Sequence, residues 1–88
     1  MEGSQIFDVF LLPIVAKELE RLPKKVQKRI REFLVELKQP YMISSKKMKG
    51  TENTYRVRIG DYRVLYKIYT DELIVVIIKI AHRRHVYR

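Results

Sequence analysis

The chain contains no cysteine. A disulfide-stapled scaffold and a cysteine-based zinc module are therefore excluded. No apolar run approaches the ~20 residues that a membrane-spanning helix needs. The longest β-branched stretch, Leu73 to Ala81, is broken by Lys79. Met1-Glu2-Gly3 lacks the cationic start of a signal peptide, and Asp8 and Pro13 interrupt the first apolar run. There is no internal repeat and no low-complexity stretch, so residues 1–88 read as one domain, too short for a dinucleotide-binding fold. The basic segments offer no obvious carboxylate pair and no HxxxH spacing, and His82 with His85 alone make a weak metal signal. The expectation is a soluble, cytoplasmic protein that uses no metal and no cofactor and does not contact a membrane. The lack of cysteine fits a reducing compartment.

What the chain does have is positive charge. Nineteen Lys and Arg against ten Asp and Glu give a net charge of +9. Residues 1–44 carry only +2 of it, and residues 45–88 carry +7. Hydrophobic residues make up 47%, too many for a disordered basic tail. A folded domain with its cationic excess in one half points to a polyanionic partner, nucleic acid above all.

The apolar pattern predicts an α+β domain. Ile6 to Leu12 reads as a strand. Pro13 suits the first position of a helix, where its missing N–H is not needed, and Val15, Leu19 and Leu22 follow at helical spacing. Pro23 opens a second helix with an apolar stripe of Val26, Ile30, Phe33, Leu34 and Leu37, which ends by Pro40. Residues 41–54 are polar and read as a loop. Tyr55 to Ile59, Tyr62 to Tyr69 and Leu73 to Ala81 read as a three-stranded antiparallel meander. The helical hairpin should cover one face of this sheet.

Register then sorts the charges. With Gly60-Asp61 as a two-residue hairpin loop, Tyr55, Val57 and Ile59 face Tyr66, Val64 and Tyr62 on an apolar side. Arg58 faces Arg63, and Arg56 faces Leu65, on the other. A three-residue loop at Thr70 to Glu72 would align Lys79 with Arg63. It would also send Ile74, Val76, Ile78 and Ile80 to the core. The second face then gathers Arg56, Arg58, Arg63, Lys67 and Lys79, with Arg83 on the same parity and no acidic neighbour on the meander. Like charges opposed across strands cost stability, so an external anion is the better account of the cluster. Lys46, Lys47 and Lys49, in the loop before the meander, are candidates to hold the backbone of such a polyanion.

Three segments together, Lys47 to Gly50, Tyr55 to Tyr66 and His82 to Tyr87, resemble the RelE/ParE superfamily of prokaryotic toxins, with the RelE branch the nearer. The Leu22-Pro23 junction before a basic amphipathic helix also fits. The resemblance implies a RelE-like microbial RNase fold. It implies an endoribonuclease that cuts mRNA in the ribosomal A site, acting from a basic concave sheet face. The branch's basic positions fall on Arg56, Arg58, Arg63 and Arg83, and its C-terminal Tyr on Tyr87. Some relatives have Lys at the positions of Arg56 and Arg58, and some continue into a C-terminal helix where this chain stops at Arg88. A cognate antitoxin, acidic in part and able to wrap helices or sheet edge, is the implied partner besides ribosome and mRNA, with a toxin–antitoxin heterotetramer as the implied assembly.

Arginine suits such a reaction in one role. Its planar fork matches phosphate oxygens and stays charged, so it stabilises a dianionic phosphorane but cannot transfer the protons. Tyr87 is the first candidate for the base, because clustered arginines favour phenolate. His82, and less so His85, are the other proton carriers. Two alternatives share the scaffold: a ParE-like poison of DNA gyrase, and a non-catalytic basic RNA-binding relative.

Overall fold

A computed structural model describes residues 5–48, 50 and 53–82. Strand β1 (Asp8–Leu11) is followed by helix α1 (Pro13–Glu20) and helix α2 (Lys24–Glu36). A 3-10 turn, Pro40–Met42, leads to the short strand β2 (Lys46–Lys47). Strands β3 (Thr54–Ile59), β4 (Tyr62–Tyr69) and β5 (Ile74–His82) complete one five-stranded sheet of order β1-β5-β4-β3-β2. β1 runs parallel to β5, and the other neighbours are antiparallel. The α+β expectation holds, with β2 as an additional strand.

Both helix starts are set by proline. Leu12 precedes α1 in an extended conformation that Pro13 imposes on it, and Pro13 occupies the first turn. Pro23 itself caps α2, so that helix begins one residue later than the sequence suggests. The Gln27 side-chain amide donates to the carbonyls of Leu22 (2.8 Å) and Glu20 (3.1 Å). It thereby satisfies carbonyls that the end of α1 leaves open and locks the two-helix junction.

The core lies between the helices and one sheet face. Val15 and Leu19 of α1, Ile30 and Phe33 of α2, and Leu37 just beyond it meet Val64, Tyr66 and Ile68 of β4 and Val75, Ile77 and Ile80 of β5. Phe33 tilts against Tyr66 with ring centroids 6.1 Å apart, so α2 crosses β4. Among the described residues no helix is long and apolar enough to cross a membrane.

The β3–β4 register agrees residue for residue with the hairpin read from Gly60-Asp61. The β4–β5 register does not agree. The connecting loop has four residues, because Leu73 adopts a left-handed conformation (φ 57°) and closes a turn with its N–H on the Thr70 carbonyl. Tyr69 therefore pairs with Ile74, and Val75 and Ile77, not Ile74 and Val76, enter the core. Ile78 is then an extra residue, bulged between the pairs Tyr66–Ile77 and Leu65–Lys79. The bulge restores the expected parity from Lys79 onward, so Ile80 is core as expected. Lys79 stands opposite Leu65, with Arg63 as its diagonal neighbour, and Arg63 faces Ala81.

Candidate nucleic-acid interface

Alternation places Arg56 and Arg58 of β3 on the face away from the helices, with Arg63, Leu65 and Lys67 of β4. Arg58 and Arg63 are directly opposed. Lys46 pairs with Arg56 and Lys79 with Leu65, so both join that face. Strands β2 to β5 contain no acidic residue at all. The basic face read from the sequence is thus assembled from four strands, although β5 reaches it by a different route.

A cleft of about 330 Å³ opens on this face between Ser44, Ser45, Lys46, Arg56, Arg58 and Arg63. Ser44 and Ser45 went unnoticed in the sequence. The short pairing of β2 with β3 brings them to the arginines, and their position just before the lysines was the only available signal. Hydroxyls beside guanidinium groups suit a phosphodiester, which offers acceptors at several oxygens.

Not every candidate reaches the cleft. Lys47 pairs with Tyr55 and so belongs to the parity of the opposite face. His82 pairs with Tyr62, whose ring it meets edge-on at 5.1 Å, on the helix-facing side of the sheet. The structure therefore does not bring His82 to the arginines: its pairing with Tyr62 keeps it on the parity opposite to Lys79. Lys49, Arg83, His85 and Tyr87 lie outside the described residues. Tyr55 and Tyr66 stack at 6.0 Å within the apolar layer, as packing residues should. Tyr41 is 60% exposed, with its hydroxyl hydrogen-bonded to that of Thr70 at 2.6 Å and its ring edge-on to Phe7.

Residues 9–87 match the family model of the ParE toxin of type II toxin–antitoxin systems. The chain belongs to this family. The toxin is 32% identical to toxin RelE of Mycobacterium tuberculosis over all of this chain and 93% of that one. It is also similar to the RelE chain in the crystal structure of the archaeal RelE–RelB complex from Pyrococcus horikoshii. That match has 31% identity and a TM-score of 0.80, covering 92% of this toxin and 99% of that chain. A more distant relative, 25% identical over 76% of this chain and 73% of its own, is the mRNA interferase toxin RelE of Escherichia coli. The RelE/ParE resemblance seen in the sequence is therefore confirmed for fold and family.

Proposed function

We propose that this toxin is an endoribonuclease that cuts mRNA in the ribosomal A site and so arrests translation. The observation that carries the reading is the acid-free cationic face, with Arg56, Arg58 and Arg63 around one cleft and Lys46 beside them. The E. coli relative's name as an mRNA interferase supports it.

In this reading the 2′-OH of the message attacks the adjacent phosphorus. The P–O5′ bond breaks, leaving a 2′,3′-cyclic phosphate and a free 5′-OH. Arg56, Arg58 and Arg63 neutralise the phosphorane oxygens through charge-assisted, bidentate contacts. Lys67 and Lys79, farther along the same face, hold the flanking backbone, and Arg83 keeps the catalytic role that the family resemblance implies. Tyr87, as phenolate, takes the 2′-OH proton as base, and the resulting phenol can return a proton to the leaving 5′ oxygen. The ribosome supplies the geometry of the message, since the chain itself offers an open sheet face and not an enclosing pocket. The P. horikoshii complex supports a cognate antitoxin as partner. An acidic antitoxin segment would inhibit by occupying the anion-binding face.

Arg63→Ala should lower the cleavage rate by roughly 10²–10³-fold, the cost of removing one donor to a developing anion, while the variant stays folded. Undiminished cleavage would overturn the site assignment. The match to the ParE family model keeps gyrase poisoning as a second reading. Mapping mRNA 5′ ends after induction separates the two: codon-phased cuts favour the nuclease, and DNA damage with intact messages favours the gyrase poison.

A further inference from the structure

Strand β1 closes one end of the sheet, and its charge sets it apart from the other strands. It carries Asp8 and no base, and residues 1–16 contain no Lys or Arg at all. Pairing with β5 fixes its parity. Val9 and Leu11 pack against the core, while Asp8 and Phe10 lie on the outer face beside Ile74 and Val76. Phe10 is 52% exposed, and Leu12 and Ile14, which continue the chain, are exposed too. A large apolar side chain thus stands on an edge strand that holds no lysine, proline or bulge to blunt it.

The backbone of this edge is half used. The N–H groups of Asp8 and Leu12 bond the carbonyls of Leu73 and Ile77 beside them. In a parallel ladder the N–H and C=O of Val9 and Leu11 then point out of the sheet, and no described residue bonds them. Before Asp8 the edge is closed, because the N–H of Phe7 donates to the carbonyl of Lys38 (2.8 Å). The open edge runs from Val9 to Leu11.

We propose that this edge pairs with the same edge of a second copy of the chain, antiparallel about a two-fold axis at Phe10. Paired side chains must share a face, which centres the axis on Val9, Phe10 or Leu11. An axis at Val9 would need the Phe7 N–H, which Lys38 already holds. An axis at Leu11 would need an N–H that Pro13 lacks. With the axis at Phe10, Val9 exchanges both hydrogen bonds with the partner's Leu11, and the two Phe10 rings meet in the close, non-hydrogen-bonded pair at the centre. Charge chooses the occupant. A polyanion or an acidic antitoxin segment finds no cation on β1. A second copy of a +9 chain is repelled by the basic strands, and β1 is where two copies can approach with no Lys or Arg between the strands. Sheet order puts β2 and β3 on the far side from β1, so both arginine clefts stay open at the two ends of the joined sheet. The pairing is independent of the chemistry at the cleft.

The test weighs the full chain, freed of antitoxin, by sedimentation velocity across the micromolar range. The parent should approach twice its 10.6 kDa as concentration rises. Phe10→Lys puts a cation on each side of the axis and should stay at the single-chain mass. Because the chain has no cysteine, Phe10→Cys gives a second readout. Opposed Cα atoms in such a pair lie about 4.5 Å apart, within disulfide reach. Under mild oxidation Phe10→Cys should cross-link several-fold faster than Val35→Cys, a comparably exposed position on helix α2. A parent that stays single at every concentration, with Phe10→Cys no faster than Val35→Cys, would overturn the proposal. So would a dimer that survives Phe10→Lys, since its interface lies elsewhere. A single-chain parent whose antitoxin binding is weakened by Phe10→Lys would overturn it too, and would make the edge an antitoxin contact.

Discussion

Tyr66 has no solvent exposure, and its hydroxyl has no hydrogen-bond partner among the described residues. Burial raises its pKa above the ordinary 10.0, the neighbouring Ser45 hydroxyl lowers it in part, and Tyr55 adds to the rise. The unfolded chain therefore releases this proton at lower pH than the folded one. Below pH 10.0 the phenol is neutral in both states and its folded-state advantage is intact. As pH climbs through the raised folded value that advantage is lost, because the folded state binds the proton that the unfolded state has released. Tyr66→Phe removes this dependence. With the Ser45 hydroxyl close but not in hydrogen-bonding geometry, the buried hydroxyl gains little, so the substitution should change stability by no more than about 1 kcal/mol at neutral pH. Above pH 10 the variant's urea midpoint should pull ahead of the parent's. Midpoint curves that stay parallel from pH 8 to pH 11 would refute the account. At the same scale, Arg58 and Arg63 illustrate the opposite bargain, since like charges held directly opposite across strands weaken the hairpin. A phosphodiester bound there, as proposed, would relieve that repulsion.

At the scale of elements, the β3–β4 hairpin depends on Gly60. Its φ of +58° lies in the left-handed region, and a Cβ there would stand 3.0 Å from an Arg29 guanidinium nitrogen. The arginine end can swing away, so backbone strain of roughly 1–2 kcal/mol is the larger cost of Gly60→Ala. In a domain of this size that corresponds to a fall in Tm of the order of 4–16 °C. A calorimetric Tm equal to the parent's would show that the turn relaxes without cost. This hairpin was legible because Gly-Asp flanked by alternating residues specifies both turn and register. The β5 register was not legible, for two physical reasons. Leu73 takes a left-handed conformation that nothing in its residue type signals, and a continuous apolar run from Leu73 to Ile78 has no polar residue to betray parity. The two one-residue shifts offset each other, so Lys79 reached the predicted face although Val75 and Ile77 exchanged places with Ile74 and Val76. β2 was hidden because two lysines in a polar loop carry no strand pattern. The arginine cleft was legible because Arg56, Arg58 and Arg63 depend only on the well-specified hairpin. His82 stands on the helix-facing side, as the alternation from Lys79 already implied; the chemistry of its ring, and not its parity, made it a candidate.

Across the whole molecule, the basic side chains of the sheet divide by position. Arg56, Arg58 and Arg63 converge on one cleft, whereas Lys67 and Lys79 stand on the same face without lining it. Arginine forks fix a phosphate's geometry, and lysine supplies a mobile point charge that neutralises backbone without orienting it. Removing the two lysines should therefore weaken holding and spare chemistry. Each phosphate contact to a single strand contributes about 0.7 to the slope of log affinity against log salt. Lys67→Ala/Lys79→Ala should make the slope for programmed ribosomes shallower by about 1 to 2, with a cutting rate at saturation within a few-fold of the parent's. Arg63→Ala should show the reverse, a slope changed by less than about one with a collapsed rate. Measured together, the two variants locate the chemistry within the face. A double-lysine variant whose saturated rate fell as far as that of Arg63→Ala would mean that Lys67 and Lys79 act on the scissile phosphate itself.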